Sequence, residues 1–284
     1  GLSARGVSFR QVDVTRSERP WEEAASAVGE RTRVVLVQKS RGYSDRPALS
    51  SRTIGSIASA VREKRPSCSV VVDNCYGEFV EDFEPTAAGA DLAAGSLIKN
   101  PGGGLAPAGG YGAGREDLVE AAAEVLTAPG LGGEVGPTLG ANRSFFQGLF
   151  LAPHVVGEAV KGAMYFARLF QNLGFEVDPL PEEPRFDIVQ AIHLGSSARL
   201  AAFCRSLQSW SPVDSHLKPE PWRMPGYDHE VIMAAGTFIQ GASLELSADA
   251  PFREPFSVYV QGGLSKEHCI LAAVHAAAAV LNSS

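Results

Sequence analysis

Lys99 and Asp73 are the two residues whose types and placement combine most readily into chemistry. Val70-Val71-Val72 leads into Asp73, the stretch Ala90 to Leu97 leads into Lys99, and the two residues stand 26 positions apart. Short runs of this kind read as buried strands, and the interval leaves room for one excursion between them. In open parallel sheets, ligands collect beyond the carboxyl ends of the strands. A lysine and a carboxylate placed there suit pyridoxal 5'-phosphate. The lysine amine forms a Schiff base with the cofactor's aldehyde. The carboxylate keeps the pyridine nitrogen protonated, so the ring can accept the electrons left when an amino acid loses its α-proton. Ser96, three residues before Lys99, is placed to donate to the phosphate, and Gly102-Gly103-Gly104 would let backbone approach the ring closely. The same glycines do not make a nucleotide loop. Lys99 precedes them instead of following the second glycine, and their spacing is not that of a dinucleotide fingerprint.

The elements that must position these residues can be read from periodicity. Val34-Val35-Leu36-Val37 is a strand expected to be buried on both faces, ending at the polar loop Gln38 to Tyr43. Thr53 to Lys64 has helical spacing (Ile54, Ile57, Ala58, Val61) and is stopped by Pro66. With Val70-Val71-Val72 this makes a strand–helix–strand unit, hence a parallel sheet. The glycines up to Gly114 and the stretch Pro129 to Gly140 read as flexible, with a helix from Arg115 to Leu126 between them. Arg143 to Leu173 is helical over a long run, with a bend or break expected near Gly148, Pro153 and Gly157. Beyond Gly174 the pattern is mixed. Strands are expected at Ile188–Leu194, Val231–Ala235, Ser243–Leu246 and Ser257–Val260, and helices at Ala198–Gln208 and Lys266–Leu281.

Composition narrows the partners. The 284 residues are 45% hydrophobic and 20% charged, with a net charge of −7 and no basic stripe, which argues against nucleic acid or an anionic membrane. No apolar stretch is long enough to span a bilayer. The four cysteines (Cys68, Cys75, Cys204, Cys269) are widely spaced and read as reduced thiols, and the six histidines have no metal-ligand spacing. Gly1-Leu2-Ser3 is neither a signal peptide nor a usual initiator, so the numbering is expected to begin inside a longer protein.

The segments Val71-Val72-Asp73-Asn74-Cys75-Tyr76-Gly77-Glu78-Phe79-Val80-Glu81 and Gly89-Ala90-Asp91-Leu92-Ala93-Ala94-Gly95-Ser96-Leu97-Ile98-Lys99-Asn100-Pro101-Gly102-Gly103-Gly104 closely resemble the aluminium resistance proteins, also called the methionine gamma-lyase family. Ser211 to Ser215, Met224 to Tyr227 and Met233 to Leu246 resemble the C-terminal half of the same family. The resemblance implies an α/β, PLP-dependent transferase-like fold (aspartate aminotransferase fold type I). It comprises a mostly parallel large-domain sheet over residues 1–142, and a long connecting helix with a smaller α/β C-terminal domain over residues 143–284. It implies a carbon–sulfur lyase performing β- or γ-elimination on a sulfur-containing amino acid. Another PLP reaction, of aldolase or aminotransferase type, or a truncated non-catalytic homologue are the alternatives. Lys99 matches the Schiff-base lysine, Asp73 the pyridine-nitrogen partner and Ser96 the phosphate-binding serine, while Arg253 and Arg41 are the candidates for the substrate carboxylate. A small amino-acid substrate, a homodimer or homotetramer and a cytoplasmic location are also implied, or an organellar stroma if a preceding part carries a transit peptide. The family's phosphate-binding turn and ring-stacking aromatic have no counterpart in this sequence and are expected in a preceding part.

The remaining polar residues have plainer expectations. His154 follows a proline and reads as a capping or packing residue at a helix start, and His193 as a satisfied core histidine. Tyr76 either approaches the cofactor or is simply buried. Cys75 lies near the expected site, and Glu78 and Glu81 read as solvated.

Overall fold

The computed structural model describes residues 2–126, 130–134 and 138–283. Two sheets organise it. In the first, β1 (Val34–Gln38), β2 (Ser69–Asp73), β3 (Leu92–Ser96) and β4 (Gly110–Gly114) lie side by side in that order. The pairs β1–β2 and β2–β3 are parallel and β3–β4 is antiparallel. A short helix, α1 (Pro20–Ala27), precedes β1, and α2 (Ser51–Lys64) makes the crossover to β2. Ser50 caps α2 by accepting a hydrogen bond from the Thr53 amide at 3.0 Å. Ile54, Ile57, Ala58 and Val61 of α2 pack on Val37, Val70, Val72 and Ala93.

That covering is one-sided. Val34 is 54% exposed and Leu36 64%, so β1 is not the doubly buried strand its apolar run suggests. Successive side chains point to opposite faces, and the helices that close the core lie on the Val37 face. The glycines also behave differently from expectation. Gly110–Gly114 is an ordered antiparallel strand, with Tyr111 opposite Gly95. Gly102 and Gly103 approach the chain's own backbone: a Cβ on Gly103 would lie 2.2 Å from the Gly148 carbonyl, and one on Gly148 would lie 2.1 Å from that of Gly102. This stretch is therefore glycine-rich because it touches a helix. The expected flexible stretch Pro129–Gly140 lies in part outside the described residues.

α3 (Glu116–Leu126) follows β4, and α4 (Asn142–Asn172) then runs 31 residues without a break, with Pro153 inside it. The proline removes one helical hydrogen bond, but Ala152, Val155, Val156 and Ala159 around it are buried and hold the helix on course. His154 consequently sits on an exposed mid-helix face and caps nothing.

The second sheet is antiparallel throughout. It is built of β5 (Glu176–Asp178), β6 (Val189–His193), β7 (Trp222–Arg223), β8 (Glu230–Ala234), β9 (Ser247–Pro251) and β10 (Ser257–Gln261), in the order β5-β6-β10-β9-β8-β7. The strand expected at Ser243–Leu246 is displaced to β9. Residues 243–246 form a bend in which the Glu245 carboxylate accepts the amides of Phe238 and Ile239 at 2.7 and 2.9 Å. α5 (Ser197–Ser209) and α6 (Lys266–Leu281) pack against each other, and α6 also packs on α4. The two sheets share a third cluster in which Tyr76 meets Val155, Ile188, Leu244 and Tyr259.

Phe166, Phe170 and Phe203 are fully buried under this sheet, with Phe170 and Phe203 centroids 5.6 Å apart. Phe170→Ala would leave a cavity among α4, α5 and β5. Urea unfolding should show a loss of about 3–5 kcal/mol.

Candidate active site

Asp73 is the last residue of β2 and Ser96 the last of β3, so both lie at the carboxyl end of neighbouring parallel strands. The chain turns directly after β3. The Lys99 amide donates to the Ser96 carbonyl at 3.2 Å, and a tight turn at Asn100–Gly102 follows. Asn100 is buried and anchors this turn by donating from Nδ2 to the Glu78 carbonyl at 2.9 Å. The half-buried Lys99 side chain places Nζ over the ring of Tyr76, 4.3 Å from its centroid. Tyr76 reaches this position from a left-handed backbone conformation, φ 71°, which a non-glycine residue adopts only when its surroundings hold it there. The loop from Asp73 is also pinned by the Cys75 amide, which donates to Asp73 Oδ1 at 3.1 Å.

Burial acts against the Lys99 ammonium, but Tyr76, Cys75 and Asp73 together outweigh it and raise the amine's pKa. The Cys75 thiol is pushed up by burial, against the pull of Lys99, so this sulfur is held as a thiol and not as an activated thiolate.

Glu78 is not solvated. It is 2% exposed, and burial raises its pKa to about 8, although the Tyr111 hydroxyl donates to its Oε1 at 2.9 Å. Among the described residues its Oε2 has no partner. Gly95 makes room for this arrangement, since a Cβ there would fall 2.4 Å from Glu78 Oε1 and 2.6 Å from Tyr111 Cε1. Glu81 is not solvated either. It pairs with the buried Lys39 Nζ at 2.7 Å and accepts the Ser51 amide at the start of α2, where the helix dipole favours a negative charge.

The other residues expected at the site divide between the sheets. Arg41 is buried with its guanidinium turned to the Arg46 carbonyl and to both the carbonyl and the carboxylate of Asp178. Arg253 is exposed on the β9–β10 connection and acts electrostatically on Tyr259. The structure therefore brings Lys99, Tyr76, Cys75 and Asp73 together, with Ser96 on the adjoining strand end, and does not bring either arginine against Lys99. His193 shares a 2.7 Å hydrogen bond with Ser257 Oγ, which satisfies its Nδ1.

Sequence reading missed Asp249 and Gln261, and took Tyr43 only as the end of the polar loop after β1. The Tyr43 and Tyr76 hydroxyls are 2.9 Å apart, and Asp249 accepts from Gln261 Nε2 at 2.6 Å. The signal for Asp249 was a lone acid inside an otherwise uncharged buried strand, Ser247–Pro251. Among the described residues no group of three His, Cys, Asp or Glu could hold a metal ion, and no helix is long and apolar enough to cross a membrane.

The raised Glu78 pKa has a stability consequence. Below about pH 4.5 the carboxyl is protonated in folded and unfolded chains alike. As the pH rises towards 8 the unfolded chain ionises first, so stability is lost across that window. Glu78→Gln should flatten the fall in thermal midpoint between pH 5 and pH 8, retaining a few kcal/mol at the upper end relative to the parent.

Comparison with known proteins places the whole chain in a family. A family model described as methionine gamma-lyase matches residues 1–281. The uncharacterized protein YnbB of Bacillus subtilis (strain 168) is 46% identical over 263 residues, which cover 92% of this chain and 62% of that protein. A crystal structure described as a carbon-sulfur lyase involved in aluminum resistance, from Clostridium novyi NT, superposes with a TM-score of 0.90 at 46% identity, covering 97% of this chain and 65% of that one. The chain thus spans less than two thirds of the length of these relatives. At 18% identity, a methionine gamma lyase from Micromonospora echinospora shares the α/β fold with a TM-score of 0.64 and 98% coverage of this chain. With the family match running from the first residue to Leu281, the chain belongs to the methionine gamma-lyase family.

Proposed function

We propose that the chain carries the lysine-bearing part of a pyridoxal 5'-phosphate-dependent carbon–sulfur lyase acting on a sulfur-containing amino acid. The observation that carries this reading is Lys99 Nζ, half-buried over the Tyr76 ring beside the carboxyl ends of β2 and β3, with Asp73 and Ser96 at those ends. The donor set fits the cofactor: an amine for its aldehyde, a carboxylate for its pyridine nitrogen and a hydroxyl for its phosphate. Lys99 forms no ion pair among the described residues, and its cation faces an aromatic ring and a thiol. When bound, the cofactor supplies an electron sink for the pair left at Cα.

The chain's own residues then have distinct tasks. Lys99, as the free amine, takes the α-proton, and the surroundings that favour its ammonium form hold that proton at Nζ. Asp73 would offer its carboxylate to the pyridine nitrogen. Of the two arginines, Arg253 has the exposed guanidinium and is assigned to the substrate carboxylate, while Arg41, fixed by Asp178 and Arg46, shapes the loop after β1. Elimination breaks the C–S bond, the sulfur leaves with its electron pair and takes a proton, and hydrolysis releases ammonia and a 2-oxo acid. Residues 1–142 form the remainder of the cofactor-binding domain and residues 143–284 the connecting helix and small domain. A cytoplasmic homodimer or homotetramer completes the reading. The exposed Phe146 and Phe150 of α4, with Val125 and Leu126 of α3, offer apolar surface for the association.

Incubation with pyridoxal 5'-phosphate should give a visible absorbance band, and borohydride reduction should leave the cofactor's mass on the peptide that contains Lys99. Lys99→Ala should lose both, and Asp73→Ala should lower thiol release from a panel of sulfur amino acids at least a hundredfold. No band at saturating cofactor would sink the proposal, and a band without thiol or 2-oxo acid from any sulfur substrate would sink its lyase part.

A further inference from the structure

We infer that the buried ion pair of Lys39 and Glu81 is a positioning device for Lys99: the anchored stem of Lys39 braces, from beneath Gly77, the turn that presents the Tyr76 ring to the Lys99 ammonium. The inference rests on the reading of Lys99 as the reactive amine. It adds to that reading two residues, one from the loop after β1 and one from the far end of the Asp73 loop.

Asn74, Cys75, Tyr76 and Gly77 form a turn closed by the Gly77 amide, which donates to the Asn74 carbonyl at 2.9 Å. Its third position is Tyr76, at φ 71°. Turns with a positive φ at that position ordinarily take glycine or asparagine. A tyrosine stays there only where its neighbours hold it. The Ile188 amide and the Tyr43 hydroxyl hold Tyr76 itself. Lys39 holds the turn from the side of the first sheet. A Cβ on Gly77 would lie 2.7 Å from Lys39 Cδ and 2.8 Å from Cε, so the turn backbone rests directly on the lysine stem.

That stem is fixed at both ends. At the backbone, the Lys39 amide donates to the Asp73 carbonyl at 3.0 Å, and the Leu49 amide donates to the Lys39 carbonyl at 2.9 Å. At the other end, Nζ donates to Glu81 Oε2 at 2.7 Å and to Ser51 Oγ at 2.9 Å. Ser51 Oγ and the Ser51 amide donate in turn to Glu81 Oε2, at 2.8 and 2.9 Å. Lys39 is therefore a strut across the loop, tied to Asp73 before the turn and to Glu81 after it. Two observations indicate that it is built for this. The Lys39 side chain is fully buried. An ion pair so enclosed adds little stability over apolar side chains of the same volume, and what it supplies is a defined geometry. Gly77, moreover, lies outside the left-handed region, so its backbone does not call for glycine. What a side chain would meet there is the Lys39 stem, and Asn74 Oδ1 at 3.2 Å.

The test reads the contact between Lys99 and Tyr76 in the chain without added cofactor. Protein made with isotopically labelled lysine gives an ε-methylene signal for each lysine in proton–carbon NMR, and the Lys99 signal is the one missing from Lys99→Arg. Lying next to an Nζ held over the Tyr76 ring, this methylene is shielded and displaced upfield of the exposed lysines. Lys39→Met keeps a stem of similar length and removes its anchor on Glu81. Gly77→Ala keeps the ion pair and drives a methyl group against the stem. Both variants should return the Lys99 signal at least half of the way to the position of the exposed lysines. A merely structural ion pair predicts that Lys39→Met lowers the thermal midpoint and leaves the Lys99 signal in place. An unmoved signal in either folded variant, or a parent signal that is not displaced, would overturn the inference. If Lys39→Met does not fold, Gly77→Ala alone decides by the same criterion. Binding of pyridoxal 5'-phosphate to the parent, read by absorbance, tests the enzymatic reading separately. A returned signal without cofactor binding would leave the brace standing and remove the lyase, and cofactor binding with an unmoved signal would do the reverse.

Discussion

The ammonium of Lys99 resting on the face of Tyr76 is the interaction on which the rest of the site depends. A cation over an aromatic ring gains about 0.5–2 kcal/mol, more as water is excluded. Burial by itself would drive the proton from this amine. Tyr76, Cys75 and Asp73, gathered in one short loop, reverse that tendency and keep the proton in place. The contact needs Tyr76 in a backbone conformation that costs energy. The surrounding structure supplies the hold: the Ile188 amide donates to the Tyr76 carbonyl at 3.2 Å, and the Tyr43 hydroxyl meets that of Tyr76.

Both halves of the chain are therefore needed for one loop. Ser40 Oγ and the Arg41 amide both donate to Asp187, at 2.7 and 3.0 Å, joining the loop after β1 to the segment that leads into β6. Arg41 extends the same seam to β5 through Asp178. A guanidinium used in this way orders the junction between the loop after β1 and the end of β5, through Arg46 and Asp178.

Glycine serves this site mainly by letting other groups come close. Gly95 leaves space for Glu78 and Tyr111, and Gly102 lies against Gly148 of α4. Burying Glu78 in that space has a cost, visible in its raised pKa and in an oxygen without a partner among the described residues. The cluster of Glu78, Tyr111, Asn74 and Glu84 is the polar floor beneath the Lys99 turn, with Asn74 donating to both Glu84 and Tyr111.

Sequence alone determined the strand–helix–strand unit from Val34 to Asp73, the long helix, the terminal helix, and the placement of Asp73 at one strand end with Lys99 just beyond the end of the next. These features are local: periodicity of 2 or 3.6 residues and short β-branched runs encode them directly. The family motifs around Asp73 and Lys99 were equally legible, being contiguous. Only the tertiary structure decided the environment of Glu78 and Glu81, which look solvated in a charged loop but are claimed by Tyr111 and Lys39. It likewise decided that a glycine run becomes β4, because pairing with β3 supplies hydrogen bonds that no local pattern announces. Asp249 is the clearest case. It sits inside a buried strand, and only the pairing of β9 with β10 supplies it with the Gln261 side-chain amide, which donates to it at 2.6 Å.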